Sequence, residues 1–172
     1  MLKNKTILFA LLVTLCTLNL RAQNHGSKNN IDTLVNSYMA IKSALIANNG
    51  TAAHYKANEM FNILKSQPDK GLSKDQRKVL IDYIDRLLDD GRLINESTDA
   101  DEQRVHFATL SKNMYHLLKG LKANTYPIYE QYCPMKKTYW LSKKKVIENP
   151  YYNDYSKMLN CGNVTETLAP AK

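Results

Sequence analysis

The sequence predicts an all-α fold, an antiparallel four-helix bundle with an irregular C-terminal cap, and three observations carry that expectation. Apolar residues recur at three- and four-residue steps in four successive segments between Ile31 and Leu121. Short polar links rich in Gly, Asn, Ser and Asp separate these segments, which suits antiparallel neighbours. Beyond Ala123 the helical period is lost, and tyrosines, prolines, the only tryptophan and two cysteines crowd together.

The chain opens with Lys3 and Lys5 ahead of an apolar run from Ile7 to Leu20, with the small residue Ala22 just before Gln23. That pattern predicts a secretory signal peptide over residues 1–22, hence export to the periplasm. Thr14, Thr17 and Asn19 interrupt the run, which is short for a span of about 20 apolar residues, so no membrane span is expected after cleavage. Residues 23–30 are polar and read as a disordered linker, and residues 31–168 read as one domain. Removing the leader takes Cys16 with it and lowers the net charge from +8 to about +5, with 21 basic residues against 16 acidic ones. The remaining basic residues are scattered except at Lys136–Lys137 and Lys143–Lys145, so a nucleic-acid footprint is not expected. These lysines read as a solvated surface, with contact to an acidic partner as the alternative.

Each helix has its own signature. Ile31, Leu34, Val35, Tyr38, Ile41 and Leu45 form one stripe that ends near Asn48-Asn49-Gly50. Thr51 is placed to cap the second helix, whose face is Ala53, Ala57, Met60, Phe61 and Leu64. Ser73 with Gln76 has capping-box spacing before the stripe Val79, Leu80, Tyr83, Ile84, Leu87 and Leu88, and Gly91 is the expected stop. Asp99 with Glu102 opens the fourth helix, whose inward face is Phe107, Leu110, Met114, Leu117, Leu118 and Leu121. Residues 125–168 form the cap, in which Tyr126, Ile128, Tyr129 and Tyr132 are too few and too close to prolines for a fifth helix, and one short hairpin is the regular structure expected.

The chemistry-bearing residues of the mature chain are two Cys/Met pairs in this cap, Cys133 with Met135 and Met158 with Cys161. Thiolate and thioether are soft donors that select Cu(I) and similar ions. Cys133 and Met135 share a side if their segment is extended, and Met158 and Cys161 share a face on one helical turn. Together they make a four-sulfur ligand set, with His106 on the fourth helix as an imidazole supplement. The rival reading is a disulfide between Cys133 and Cys161, closing a loop of about 28 residues and contributing about 3 kcal/mol. Catalysis finds no support: Gly-rich phosphate loops, Gly-x-Ser-x-Gly, Cys-x-x-Cys, His-x-x-x-His and Glu-x-x-His are all missing from the sequence.

The cap also carries a resemblance. Tyr129-Glu130-Gln131-Tyr132-Cys133-Pro134-Met135, Trp140-Leu141-Ser142, Asn149-Pro150-Tyr151-Tyr152 and Met158-Leu159-Asn160-Cys161-Gly162 resemble the domain of unknown function 3347, a family of exported bacterial domains. Glu102 to Phe107 and Tyr38 to Leu45 extend the likeness upstream, and Asn153 departs from it by standing where members usually carry glycine. Members stand alone or are appended to periplasmic adaptors of copper and heavy-metal efflux pumps. The resemblance therefore implies metal handling and an efflux adaptor or other envelope protein as partner. Two functions remain open at this level: a non-enzymatic periplasmic domain for copper or another soft metal, and a disulfide-stabilised interaction module without metal.

Overall fold

The structure, a computed structural model, describes residues 23–66, 69, 71–153 and 157–171, with side chains from Asn30 onward. The signal-peptide expectation for residues 1–22 lies outside the described residues.

All four apolar stripes become the inward faces of helices, although on the third only Leu80 and Leu87 are buried, with Val79, Tyr83, Ile84 and Leu88 half-buried, and Phe61 of the second is half-buried too. Helix α1 (Gln23–Ile46) buries Ile31, Leu34, Val35, Tyr38, Ile41 and Leu45 completely. It begins upstream of its stripe, in the stretch read as a linker. Gln23 to Asn30 contains no proline or β-branched residue, so a helix anchored by packing can propagate back through it. Helix α2 (Gly50–Lys65) is capped by Asn49, whose Oδ1 accepts the Ala52 N–H at 2.8 Å, two residues before the expected Thr51. Gly50 explains the shift: a Cβ there would lie 1.9 Å from the Thr98 carbonyl oxygen, so only glycine lets this helix start against the link between the third and fourth helices.

Helix α3 (Lys74–Asn95) has the Ser73/Gln76 capping box in both directions. It runs through Gly91, the expected stop, because that glycine is buried facing the Ala57 carbonyl of α2 and packing outweighs its poor helix propensity. Helix α4 (Ala100–Leu121) is capped by Asp99 and closed by Lys122 in the left-handed region, φ 49°. Sequential neighbours pack along the chain, α1 on α2, α2 on α3 and α3 on α4. No helix among the described residues is long and apolar enough to cross a membrane.

The all-α expectation is wrong. The segment read as an irregular cap forms a three-stranded antiparallel sheet, β1 (Ile128–Cys133), β2 (Thr138–Ser142) and β3 (Asn163–Leu168), in the order β2-β1-β3, so the fold mixes helix and sheet. The hairpin β1–β2 is local, pairing Cys133 with Thr138 and Tyr129 with Ser142. The β1–β3 pairing is not: Ile128 meets Leu168 across the intervening loop, and a register shift between Glu130 and Gln131 breaks the alternation that would have marked β1 as a strand. Polar β3, Asn-Val-Thr-Glu-Thr-Leu, shows a strand only once its partner is known.

Tyr38 locks the sheet onto the helices. The Leu141 N–H on β2 donates to the Tyr38 hydroxyl at 3.0 Å, and that hydroxyl shares a 2.7 Å hydrogen bond with Ser111 of α4. The ring stacks on Phe107 at 5.0 Å. One side chain thus joins α1, α4 and the edge of β2, leaving that edge donor satisfied inside the protein.

One turn further along α1, Lys42 is almost fully buried, with Nζ 3.3 Å from the Ser142 hydroxyl and 3.9 Å from Glu148. Burial pushes its pKa down to about 8, against the pull of Glu148, and nearby Lys144 adds to the depression. Since the unfolded chain holds this proton more tightly, stability rises with pH between about 8 and 10.5. Lys42→Met is therefore expected to stabilise the protein by about 2 kcal/mol at pH 7, a gain that fades by pH 10.5, read by urea unfolding at both values.

Candidate functional site

The two cysteines meet at one end of the sheet, where β1 ends and the antiparallel β3 begins. Cys133 ends β1 and is fully buried, while Cys161 lies just before β3 and is half-buried. Their Sγ atoms are 3.4 Å apart. The turn after β1 supplies the first set of donors. Pro134 presets the backbone for a tight turn, and the chain doubles back through Pro134–Lys137, with Lys137 left-handed at φ 53°. This brings the Lys136 N–H onto the Cys133 sulfur at 3.4 Å.

Asn149, completely buried, organises the other side. Its Nδ2 donates to the Cys161 carbonyl at 2.7 Å and its Oδ1 accepts the Tyr151 N–H at 3.0 Å. Its backbone N–H donates to the Leu159 carbonyl at 2.8 Å, and the Cys161 N–H closes a turn on the Met158 carbonyl at 2.9 Å. The amide thus ties the Asn-Pro-Tyr turn to the cysteine segment. Gly162 completes the placement at φ 149°, with a Cβ there 2.7 Å from the Trp140 ring and 2.8 Å from the Tyr132 carbonyl.

The two thiols differ electrostatically. Burial opposes ionisation of Cys133, but the Lys136 N–H, the Cys161 thiol, the Asn149 amide and the Met135 N–H together hold its pKa below the ordinary thiol value. Cys161 moves up, because its proton is engaged by Cys133, because it is partly desolvated and because charge on Cys133 repels a second thiolate. Of the two sulfurs Cys133 is the one that ionises first, its thiolate accepting from the Cys161 thiol. Desolvation and both sulfurs raise the pKa of Tyr152, whose ring carries the Lys136 ammonium at 5.0 Å.

The expected five-residue ligand set is only partly assembled. Cys133 and Cys161 meet. Met158 sits in the turn that delivers Cys161, although this is a turn and not the helical face expected. Met135 brings its backbone N–H to the sulfurs while its side chain is 68% exposed. His106 is on the side of α4 that faces Asp90 of α3. Among the described residues no cluster of three or more His, Cys, Asp or Glu is poised for a metal ion.

The thiol pair fits a two-sulfur site. Metal–thiolate bonds of about 2.3 Å allow one ion between sulfurs up to about 4.6 Å apart, and 3.4 Å lies within that range. Sequence reasoning missed Asn149, Tyr152 and the Lys136 N–H. Asn149 was visible in its motif, whereas a backbone donor has no sequence signal beyond the proline that sets the turn.

A family model described as a protein of unknown function (DUF3347) matches residues 34–126. The chain belongs to this family. The match runs from α1 through the four helices of this DUF3347 protein and ends at Tyr126, so both cysteines lie beyond it. No curated protein and no solved structure matches the chain.

The lysine clusters of this DUF3347 protein lie over its own rings. Lys143 sits 4.2 Å above Tyr126 and Lys145 5.8 Å from Tyr129, contacts worth about 0.5–1 kcal/mol each at exposed sites.

Proposed function

We propose that this protein is an exported, non-enzymatic domain that holds Cu(I) or a similar soft metal ion between Cys133 and Cys161 and passes it to an efflux adaptor or another envelope protein. The observation that carries the reading is the 3.4 Å approach of two sulfurs from distant segments, one of them cushioned by a backbone N–H. Such a cushion stabilises the thiolate that a soft ion requires and orients its lone pairs. Met158, three residues before Cys161 in the turn that delivers it, is the thioether proposed to complete the site, and Met135, two residues after Cys133, is exposed. His106 has no part in it.

Anaerobic titration of the reduced protein with Cu(I) against a competing chelator tests the reading. One equivalent is expected to bind, and Cys133→Ser/Cys161→Ser is expected to weaken binding by about a hundredfold or more. Absence of competition, or unchanged affinity in the double variant, overturns it.

The same approach of the sulfurs favours a second reading, a disulfide that staples the cap of an interaction module. Intact mass with and without thiol labelling decides between the states: two blocked cysteines in freshly isolated protein identify the bridge.

A further inference from the structure

The two sulfurs are not equally reachable. Cys133 has no exposed surface, lying at the end of β1 within the core, whereas Cys161 is half-buried in the turn ahead of β3. Thiol–disulfide exchange is an in-line displacement, so the attacking sulfur approaches one sulfur from the side opposite its partner. If the pair is bridged, an attacker at Cys133 would have to come through the core, while an attacker at Cys161 comes from solvent. The leaving sulfur must also accept negative charge. The Lys136 N–H points at Cys133, 3.4 Å from its sulfur, and Asn149 holds the Cys161 segment in place through the 2.7 Å bond to its carbonyl.

We propose that the Cys133–Cys161 pair is a thiol-exchange site with a fixed direction, entered by a dithiol protein at Cys161 and opened by departure of Cys133. The partner's thiolate forms a bond to the Cys161 sulfur as the Cys161–Cys133 bond breaks, and the electron pair leaves on Cys133 under the Lys136 N–H. The partner's second thiol, once deprotonated, attacks its own sulfur in the mixed disulfide and releases Cys161, which takes up the proton. The partner's dithiol is oxidised to a disulfide, and this chain's disulfide is reduced to a dithiol. In reverse, a partner disulfide oxidises the pair through the same mixed disulfide at Cys161. Since only the open pair presents two thiolates to a soft ion, this exchange would gate the metal site.

The inference rests on the bridged state of the second reading above and not on metal occupancy. The test uses the whole protein, oxidised with diamide and treated briefly with limiting reduced glutathione. After acid quenching and alkylation, the modified cysteine is located by peptide mass mapping. Glutathione is expected on Cys161 at least about ten times more often than on Cys133, with Cys133 carrying the alkyl group. Equal labelling, preference for Cys133, or failure of diamide to join the two cysteines overturns the proposal. Cu(I) titration of the fully reduced protein is read separately, so failure of the metal reading leaves a different signature.

Discussion

Arg104→Met is expected to lower the unfolding free energy by about 4 kcal/mol, because a single buried guanidinium holds together three segments distant in sequence. Its Nε donates to the Pro150 carbonyl at 3.0 Å, and its Nη2 donates to the Leu45 carbonyl at 2.7 Å and to Asn48 Oδ1 at 2.9 Å. Leu45 is in the last turn of α1, where free carbonyls gather negative potential and a cation is favourable. Methionine fills comparable space but donates nothing: the Pro150 carbonyl loses its Arg104 partner and the Leu45 carbonyl keeps only the Asn48 N–H at 3.1 Å, so three bonds from a charged donor, about 1.5–3 kcal/mol each, are lost against the saving of not burying a cation. The Asp101 pair adds little, since that carboxylate is exposed. Urea unfolding followed by circular dichroism measures the loss, and a change below about 1 kcal/mol would contradict the assignment. Pro150 adjoins Asn149, so the same variant is also expected to label faster at Cys133 with a thiol reagent.

Gly162→Ala should be comparably damaging, by about 4 kcal/mol, and its effect should centre on the thiols. Two penalties add. A side chain at φ 149° is strained by about 1–3 kcal/mol, and its Cβ would press on the Trp140 ring at 2.7 Å and on the Tyr132 carbonyl at 2.8 Å. Trp140 is fully buried and the Tyr132 carbonyl belongs to β1, so neither moves cheaply. Relief requires the chain to shift at Gly162, which carries Cys161 away from Cys133. The expected results are a lower urea midpoint and a slower closure of the Cys133–Cys161 bridge under diamide. An unchanged midpoint with unchanged closure would show that Gly162 does not place Cys161.

Much of the helical layer was legible in the sequence because its signals are local. The stripe from Ile31 to Leu45 is the buried face of α1, and the Ser73/Gln76 and Asp99 caps start their helices where the spacing placed them. Errors arose where a contact from elsewhere decided. Gly91 continues a helix because Ala57 lies against it, and α2 starts at Gly50 because Thr98 leaves no room for a Cβ. At the candidate site the residue types were legible as soft donors, but not their grouping. Nothing in the spacing of Cys133 and Cys161 shows whether 28 residues bring their sulfurs together, and nothing about His106 shows which side of α4 it takes.

What the sequence determined by itself was the set of amphipathic helices and the presence of two thiols and two thioethers in an aromatic segment, since periodicity and side-chain chemistry are properties of neighbouring residues. Only the tertiary structure decided that the aromatic segment is a sheet, that Tyr38 and Arg104 lock it to the helices, and that Cys133 is buried behind a half-open Cys161. The physical reason is the pairing of β1 with β3: the backbone hydrogen bonds between strands distant in sequence set the register, and that register brings two remote sulfurs within 3.4 Å.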